Sequence, residues 1–404
     1  MTTASAEGAA RNGRGVLIIV ENLPVPFDRR VWQEALALRE AGWRVSVICP
    51  TGKGHDARRE DIDGVAIYRH SLPVEAKGAL AYAAEYLWAV CAQIRLSFRV
   101  ARERGFDVLH ACNPPDLIFI VAALHKWLRG TRFVFDHHDL SPELFEAKFG
   151  PKGPLPRIMR WLERQTFRFA DASIATNETF KRLAVERGGM DPDRVWVVKS
   201  YPKIERFRRT APDPILAASN RSLVGYVGIM GSQDGVEYLV RAIADIVHER
   251  GRDDVGCVLV GDGPELESLK ALALELDVAD HVTFTGYLTG DRLLATLSAL
   301  DVGVIPDPKD DFNDKLSMNK VFEYMMLGLP FVMFDLTQAR SEARDAALVA
   351  KDCSPEGLAD GILALVDDEG RRKRMGAWGR ETAEREFLWE NETASLRAAY
   401  EAVA

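Results

Sequence analysis

Two stretches of the chain carry residue types able to do chemistry. The first is residues 307–330, DPKDDFNDKLSMNKVFEYMMLGLP. An acidic, turn-rich loop leads into a helix expected to begin at Ser317, a good N-cap, and to end near Gly328, with Pro330 just beyond. Asn319 and Glu323 stand four apart and so share one helix face near its amino end. Free backbone N–H groups there, with the positive end of the helix dipole, make an anion site. Lys315 and Lys320 add charge beside it, and Met318 lies in the same turn. A buried carboxylate one turn behind an anion site suits a ligand that joins a diol to a phosphate, such as a ribose carrying a diphosphate. The plain alternative is a capped helix with a surface glutamate.

The second stretch is DHHDLSPE, residues 136–143. It follows a short apolar run read as a strand, so His137, His138, Asp139 and Glu143 fall where the ligand loops of a parallel sheet lie. This cluster of titratable groups makes His138, Asp139 and Glu143 catalytic candidates; a structural histidine is the alternative. His110, at the end of another predicted strand, is a second candidate. Read as metal ligands, the two histidines and Asp139 lack a further ligand placed by spacing, so no metal is expected. Arg29 and Arg30, in the loop ENLPVPFDRR, are placed to meet a phosphate or an acidic acceptor; otherwise they begin an exposed helix face.

The elements that must position these residues read as two βα series. In the first, strands are expected over 15–20, 44–49, 65–68, 107–110, 133–136, 172–175 and 195–198, with helices over 31–41, 78–104, 116–128, 157–169 and 178–186. The order β-loop-α-β starts a parallel sheet. The 157–169 helix, RIMRWLERQTFRF, places Ile158, Trp161, Leu162 and Phe169 as core residues. Arg157, Arg160, Arg164 and Arg168 make one positive stripe, suited to an anionic interface or simply to water. A Pro- and Arg-rich segment over 200–221 reads as the hinge. The second series starts at Leu223, with Gly228, Gly231 and Gly235 in the turn after its first strand and CVLVGDGPE, residues 257–265, further on. Expected domains are a flexible tail over 1–14, a first domain over 15–203, and a second over 204–387. A final helix over about 388–404 is expected to pack back on the first.

At 404 residues the chain is long enough for two large cores. Residues 1–200 hold 29 Lys and Arg against 24 Asp and Glu, a balance of +5, whereas residues 201–404 hold 23 against 36, a balance of −13. The net charge of −8 argues against a nucleic-acid binder, while the basic half can favour an anionic membrane surface. The five cysteines are scattered, with no CxxC, which suggests a reducing compartment and neither disulfides nor zinc. No apolar run reaches bilayer length, and MTTASAEGAARNGR lacks an apolar core. A cytoplasmic location is expected, with contact at the inner face of a membrane left open.

The second series carries a resemblance. Glu323-Tyr324-Met325-Met326-Leu327-Gly328-Leu329-Pro330 is similar to the donor-site motif of the retaining glycosyltransferases of family 4, and Ser317 to Met325 fits a sub-pattern of that family, S-P-N-K-hydrophobic-F-E-Y-M. GDGPELESLK resembles its G-x-G-P-x-x-x-x-L, and Gly286-Tyr287-Leu288 its turn beside the nucleobase. ENLPVPFDRRVWQEA looks like a variant found in some bacterial, polysaccharide-type members. The resemblance implies an α/β GT-B fold: two Rossmann-like, doubly wound parallel-sheet domains facing a cleft. The donor, a nucleotide diphosphate sugar that is UDP-linked on family grounds, would sit on the second domain. The acceptor, a saccharide or lipid-linked molecule, would sit on the first. Glu323 would hold the nucleotide ribose, His138 would face the reactive sugar, and Tyr287 would lie by the base. Gly228 and Gly231 would approach the phosphates.

Three positions depart from the family pattern. Lys315 stands for its first glutamate, Ile229 for its diphosphate arginine and Asp234 for its lysine. Lys315 and Lys320 are the expected substitutes. Asp61-Ile62-Asp63 and Asp191-Pro192-Asp193 lie in loops poorly placed to hold a metal, so transfer is expected without one. The rivals are a nucleotide-sugar epimerase on the same fold and a non-catalytic nucleotide-binding or scaffold protein.

Overall fold

Short runs of Val, Ile and Leu bounded by glycine or charged turns become strands here because a parallel sheet is covered on both faces and needs apolar residues on each. The computed structural model describes residues 13–71, 79–150, 152–204 and 207–403. All of the tail expected over 1–14 except its last two residues lies outside them. Two compact units result, one running to Ser200 and resuming at Glu390, the other Tyr201–Trp389.

The first unit contains β1 (Gly15–Ile19), α1 (Arg29–Glu40), β2 (Arg44–Pro50), β3 (Arg59–Ile62), β4 (Val65–His70), α2 (Ala79–Glu103), β5 (Val108–Cys112), α3 (Phe119–Arg129), β6 (Arg132–His137), α4 (Ser141–Phe149), α5 (Leu155–Phe169), β7 (Ala172–Ala175), α6 (Glu178–Glu186) and β8 (Val195–Val197). Its sheet runs β3-β4-β2-β1-β5-β6-β7-β8, parallel except for β3. β3 reads REDI, an edge strand with no apolar run, which is why the sequence shows it only as a charged turn. α1 starts at Arg29 and not at 31, because the Asp28 carboxylate caps the Val31 N–H. The core side of α5 is Pro156, Glu163, Thr166 and Phe167. Ile158 and Trp161, expected inside, are exposed.

One buried ionic group ties three helices of this unit together. Arg187, just past α6, donates to Glu143 Oε1 of α4 (2.5 Å) and to Glu163 Oε1 of α5 (2.6 Å). A single guanidinium serves two buried carboxylates. Burial lifts the Glu163 carboxyl to about 8, Arg187 opposing and Asp116 and Glu143 assisting.

The second unit contains β9 (Ser222–Val227), α7 (Val236–Ala244), β10 (Val255–Val260), α8 (Leu266–Glu275), β11 (Val282–Gly286), α9 (Gly290–Ser298), β12 (Val302–Ile305), α10 (Asn319–Leu327), β13 (Phe331–Met333), α11 (Thr337–Ala343), β14 (Ala347–Val349), α12 (Pro355–Val366) and α13 (Glu369–Glu386). α14 (Trp389–Glu401) then returns the chain to the first unit. The sheet runs β11-β10-β9-β12-β13-β14, all parallel. Connections leave β9 toward β10 on one side and come back to β12 on the other, so β9 and β12 flank the topological switch point.

There the ladder is short. Only Val302–Val224 and Gly303–Gly225 pair before the strands part. The Tyr324 hydroxyl of α10 fills the opening: it accepts the Val227 N–H (3.2 Å) and shares its proton between Gly225 O (3.2 Å) and Val304 O (3.4 Å). Gly303 makes room for the ring, since a Cβ there would stand 2.8 Å from it.

Two outcomes follow. Gly303→Ala should lower the urea midpoint by about 1–3 kcal/mol of stability through overpacking; an unchanged midpoint would show that the Tyr324 wedge is slack. The second concerns pH. The folded pKa of Glu163 lies above its ordinary value of 4.5, so the stability it contributes is whole below pH 4.5 and is lost as pH rises through about 8. Relative to wild type, Glu163→Gln should gain up to about 1.4 kcal/mol per pH unit over that window. Parallel stability curves for the two proteins would contradict it.

Candidate functional site

In the second unit the carboxyl ends of β9 and β12 carry the expected donor residues. α10 begins at Asn319 with Met318 as N-cap and no side-chain cap on its first amides. Ser317 is therefore not the cap expected from its type: its hydroxyl donates to Glu342 Oε1 (2.5 Å), which pulls it out of the capping position. The helix ends at Gly328, in the left-handed conformation expected of a C′ glycine. Arg209 Nε donates to Leu327 O (3.0 Å) and Arg380 Nη1 to Met326 O, so two cations cover the negative end of the dipole. Asn319 is exposed and Glu323, one turn on, is buried.

The two lysines do not stand open to a phosphate. Lys320 Nζ lies 2.6 and 2.8 Å from the Asp307 oxygens and 4.8 Å over the Tyr226 ring, while Lys315 Nζ lies 2.8 Å from Asp311 Oδ1. The acidic loop that precedes α10 supplies both partners. Asp311 is largely exposed, so the Lys315 pair is weak and can open; the Lys320 pair is mostly buried.

The glycine turns are packed on each other. A Cβ at Gly261 would meet Gly228 O at 1.8 Å, one at Gly263 would meet Met230 backbone atoms at 2.5–2.7 Å, and one at Gly228 would meet the Tyr226 hydroxyl at 2.7 Å. The Gly231 N–H donates to Asp234 Oδ2 (3.0 Å). A carboxylate of the turn itself thus holds an amide that was expected to face a phosphate. Tyr287 is exposed just after β11.

In the first unit the carboxyl ends of β5 and β6 meet α1 in a buried polar cluster. Its centre is Asp136, fully buried, a residue passed over in the sequence because it ends the apolar run FVFD. Arg30 Nη2 donates to Asp136 Oδ1 (2.9 Å) and Nη1 to Val198 O (2.8 Å) and Ser200 Oγ (2.9 Å). Arg30 is accordingly a buried structural cation and not a surface arginine awaiting a phosphate; Arg29 beside it is exposed. Burial alone would raise the Asp136 carboxyl, yet Arg30 and His138 hold it well below the usual range. Burial and the Asp136 charge push Glu34 well above it, against the Arg30 guanidinium, whose Nη2 also lies 3.2 Å from Glu34 Oε1.

His110 is fully buried on β5, its Nδ1 2.8 Å from the Tyr400 hydroxyl of α14 and its Nε2 3.3 Å from Asp136 Oδ2. Burial lowers its pKa, and it holds structure together. His138 is the half-buried histidine. Its Nε2 stands 2.5 Å from Asp136 Oδ2 and 2.9 Å from Arg30 Nε. One neutral ring nitrogen cannot donate to the first and accept from the second. Since Arg30 Nε also reaches Asp136 Oδ2 (3.3 Å), the consistent assignment has Nε2–H donating to Asp136, which leaves Nδ1 as the acceptor nitrogen.

Asn113, also passed over in the sequence, clamps the loop. Its Oδ1 accepts the N–H groups of His138 (2.8 Å) and Asp139 (3.2 Å), and its Nδ2 donates to Asp139 O (2.7 Å). The backbone of His138 and Asp139 is thus fixed by Asn113, while Glu143 is tied to Arg187. His137 faces Phe135, Phe167 and Phe180, and burial drops its pKa to about 3. Two carboxylate-bearing groups, His110–Cys112–Asp136 and Glu34–Asp136–His138, have ligand atoms close enough for a metal ion. Asp136 belongs to both and already carries the Arg30 guanidinium, which a divalent cation would have to displace.

Two family models match the chain in tandem: a glycosyl transferase 4-like domain over residues 28–200 and a glycosyl transferases group 1 domain over residues 221–368. The alpha-D-kanosaminyltransferase of Streptomyces kanamyceticus is 26% identical over 316 residues, 74% of this chain and 75% of that protein. A GDP-mannose-dependent alpha-(1-6)-phosphatidylinositol monomannoside mannosyltransferase of Mycobacterium tuberculosis is 32% identical over 204 residues, 48% of this chain; the match spans about half, 52%, of that relative. Among solved structures, the sucrose-phosphate synthase of Thermosynechococcus elongatus gives a TM-score of 0.77 at 17% identity, covering 96% of this chain and 98% of that one. Anabaena HepE in complex with UDP gives 0.70 at 14% identity, covering 96% and 100%. At such identities the structural likeness speaks for the fold alone. The chain belongs with the glycosyltransferases of GT-B architecture, a glycosyl transferase 4-like domain followed by a group 1 domain.

Proposed function

We propose that this glycosyltransferase moves a hexosyl unit from a UDP-linked sugar to a saccharide or lipid-linked acceptor, with retention of configuration and without a metal. The observation that carries the donor half is the amino end of α10: uncapped amides at a switch point, with buried Glu323 one turn behind. The amides and Lys315 would take the diphosphate and Glu323 the ribose hydroxyls. The base is chosen on the family resemblance and on UDP in HepE; the mycobacterial relative is named for GDP-mannose, so both nucleotides enter the test.

On the first unit, His138 would hydrogen-bond the acceptor or sugar hydroxyl through Nδ1, with Asp136 positioning the ring. Retention by double displacement needs a carboxylate nucleophile about 5–5.5 Å from a general acid. Asp136 is locked to Arg30 and Glu143 to Arg187, so neither suits that role. A front-face displacement through an oxocarbenium-like state fits better, the leaving diphosphate taking the acceptor proton. An epimerase would need no acceptor, and the tandem glycosyltransferase domains do not favour it.

Thermal shift with UDP and GDP, followed by anomer analysis of the product, tests the proposal. Glu323→Gln should weaken UDP about 10- to 100-fold by removing a charged hydrogen bond. His138→Asn should keep the UDP shift and lose turnover. Asp234→Asn, which removes the carboxylate from the Gly231 amide, should leave UDP binding as strong or tighten it. A UDP shift untouched by Glu323→Gln would place the donor elsewhere, and a product of inverted configuration would remove the retaining mechanism.

A further inference from the structure

In the first unit, every large apolar side chain standing exposed among the described residues lies on α2, α3 or α5. α2 carries Leu87 and Trp88 (56% exposed), α3 carries Trp127 (74%) and Leu128, and α5 carries Leu155, Ile158 and Trp161 (55%). These helices form one layer. α2 and α3 each lead from the carboxyl end of one strand to the amino end of the next, α5 follows α4 and leads into β7, and α3 packs against both of the others. Trp127 meets Phe169 of α5 edge-on at 6.1 Å, and Lys126 Nζ donates to Phe169 O (3.1 Å).

The solvent side of α5 also exposes Arg157, Arg160, Arg164 and Arg168. Across the three helices nine Lys and Arg face three Glu, one of which, Glu163, is buried against Arg187; Asp171 pairs with Lys126 (2.9 Å) and Glu146 with Arg160 (2.6 Å), and an excess of cations remains. A solvated helix turns polar residues outward, and single exposed apolar residues are ordinary. Three tryptophans set among arginines in one layer are neither. Tryptophan settles at the boundary of hydrocarbon and water, and arginine grips phosphate with a planar fork of donors.

We infer that this helical layer docks on an anionic lipid surface, with Trp88, Trp127 and Trp161 at headgroup level and the α5 arginines on lipid phosphates. Charge decides between lipid and a second copy of the chain. A self-complementary dimer through this face would bring the same cation excess against itself, whereas anionic headgroups neutralise it. α5 packs on α4, the helix that follows His138 at the carboxyl edge of the sheet, so docking holds that edge near a membrane-borne acceptor. This last link rests on the proposed function; the docking itself does not.

The full chain is sedimented with phosphatidylcholine vesicles, with or without about a third phosphatidylglycerol, at low and high salt. The wild type should bind the anionic vesicles, lose them at high salt, and show a blue shift of tryptophan emission. A triple R157Q/R164Q/R168Q variant should bind them about a hundredfold more weakly, by the electrostatic contribution of three surface cations. W127S/W161S should bind about tenfold more weakly and lose the blue shift. Circular dichroism and the UDP thermal shift check each variant. Retention of the UDP shift by a variant that no longer sediments separates docking from donor binding. If UDP never stabilises the protein while vesicle binding persists, the functional reading fails and this one stands. The inference is overturned if the wild type stays in the supernatant at low salt, or if both variants bind like wild type. It is equally overturned if W127S/W161S instead abolishes a concentration-dependent dimer.

Discussion

The interaction on which the first unit turns is the pairing of Arg30 with Asp136 where no water reaches. An isolated charge in such a place would cost several kcal/mol, and an ion pair there is stable only when the remaining donors and acceptors are also met. Here the guanidinium is finished by Val198 O and Ser200 Oγ. Burial and the Asp136 charge raise the pKa of the second carboxyl in reach, on Glu34, and burial lowers that of His110. This balance fixes what His138 can do. Its ring is held at one nitrogen by a carboxylate that does not itself titrate in the neutral range, and its backbone is held by Asn113. The chemistry assigned to His138 therefore depends on Arg30, Asp136 and Asn113.

The second unit meets a different constraint. A parallel sheet whose connections reverse direction must part at the reversal, and the parted strands present unpaired backbone groups. Tyr324 satisfies them with one hydroxyl, and the same helix starts on amides that no side chain caps. Position 324 thereby sets where Glu323 and Asn319 stand. The motif residues work as a unit because the tyrosine anchors the helix by its side and the two arginines cover its far end.

Much of this was legible in the sequence. Val- and Ile-rich runs placed most strands, and the 319/323 spacing and Gly328 defined the face and end of α10. What escaped did so for physical reasons. β3 and β14 are an edge strand and a three-residue strand with no apolar periodicity to detect. Ser317 has the right type for a cap, but a glutamate 25 residues later claims its hydroxyl. The carboxylate partners of Lys315 and Lys320, Asp311 and Asp307, are set by the fold of the loop before α10. Asp136 was hidden by its apolar neighbours. Ile158 and Trp161 carry the periodicity of buried residues, and periodicity does not say whether the apolar side meets protein or something else.

The contact between Tyr400 and His110 joins positions 290 apart in the sequence. Tyr400 also sits edge-on to Trp43, beside the start of β2. During synthesis the amino-terminal sheet leaves the ribosome long before residue 400 does, and the whole of the other unit is made in between. Until then the His110 ring lacks the hydroxyl that its Nδ1 meets in the finished fold. The amino-terminal unit thus completes its own interior only after its neighbour has been translated.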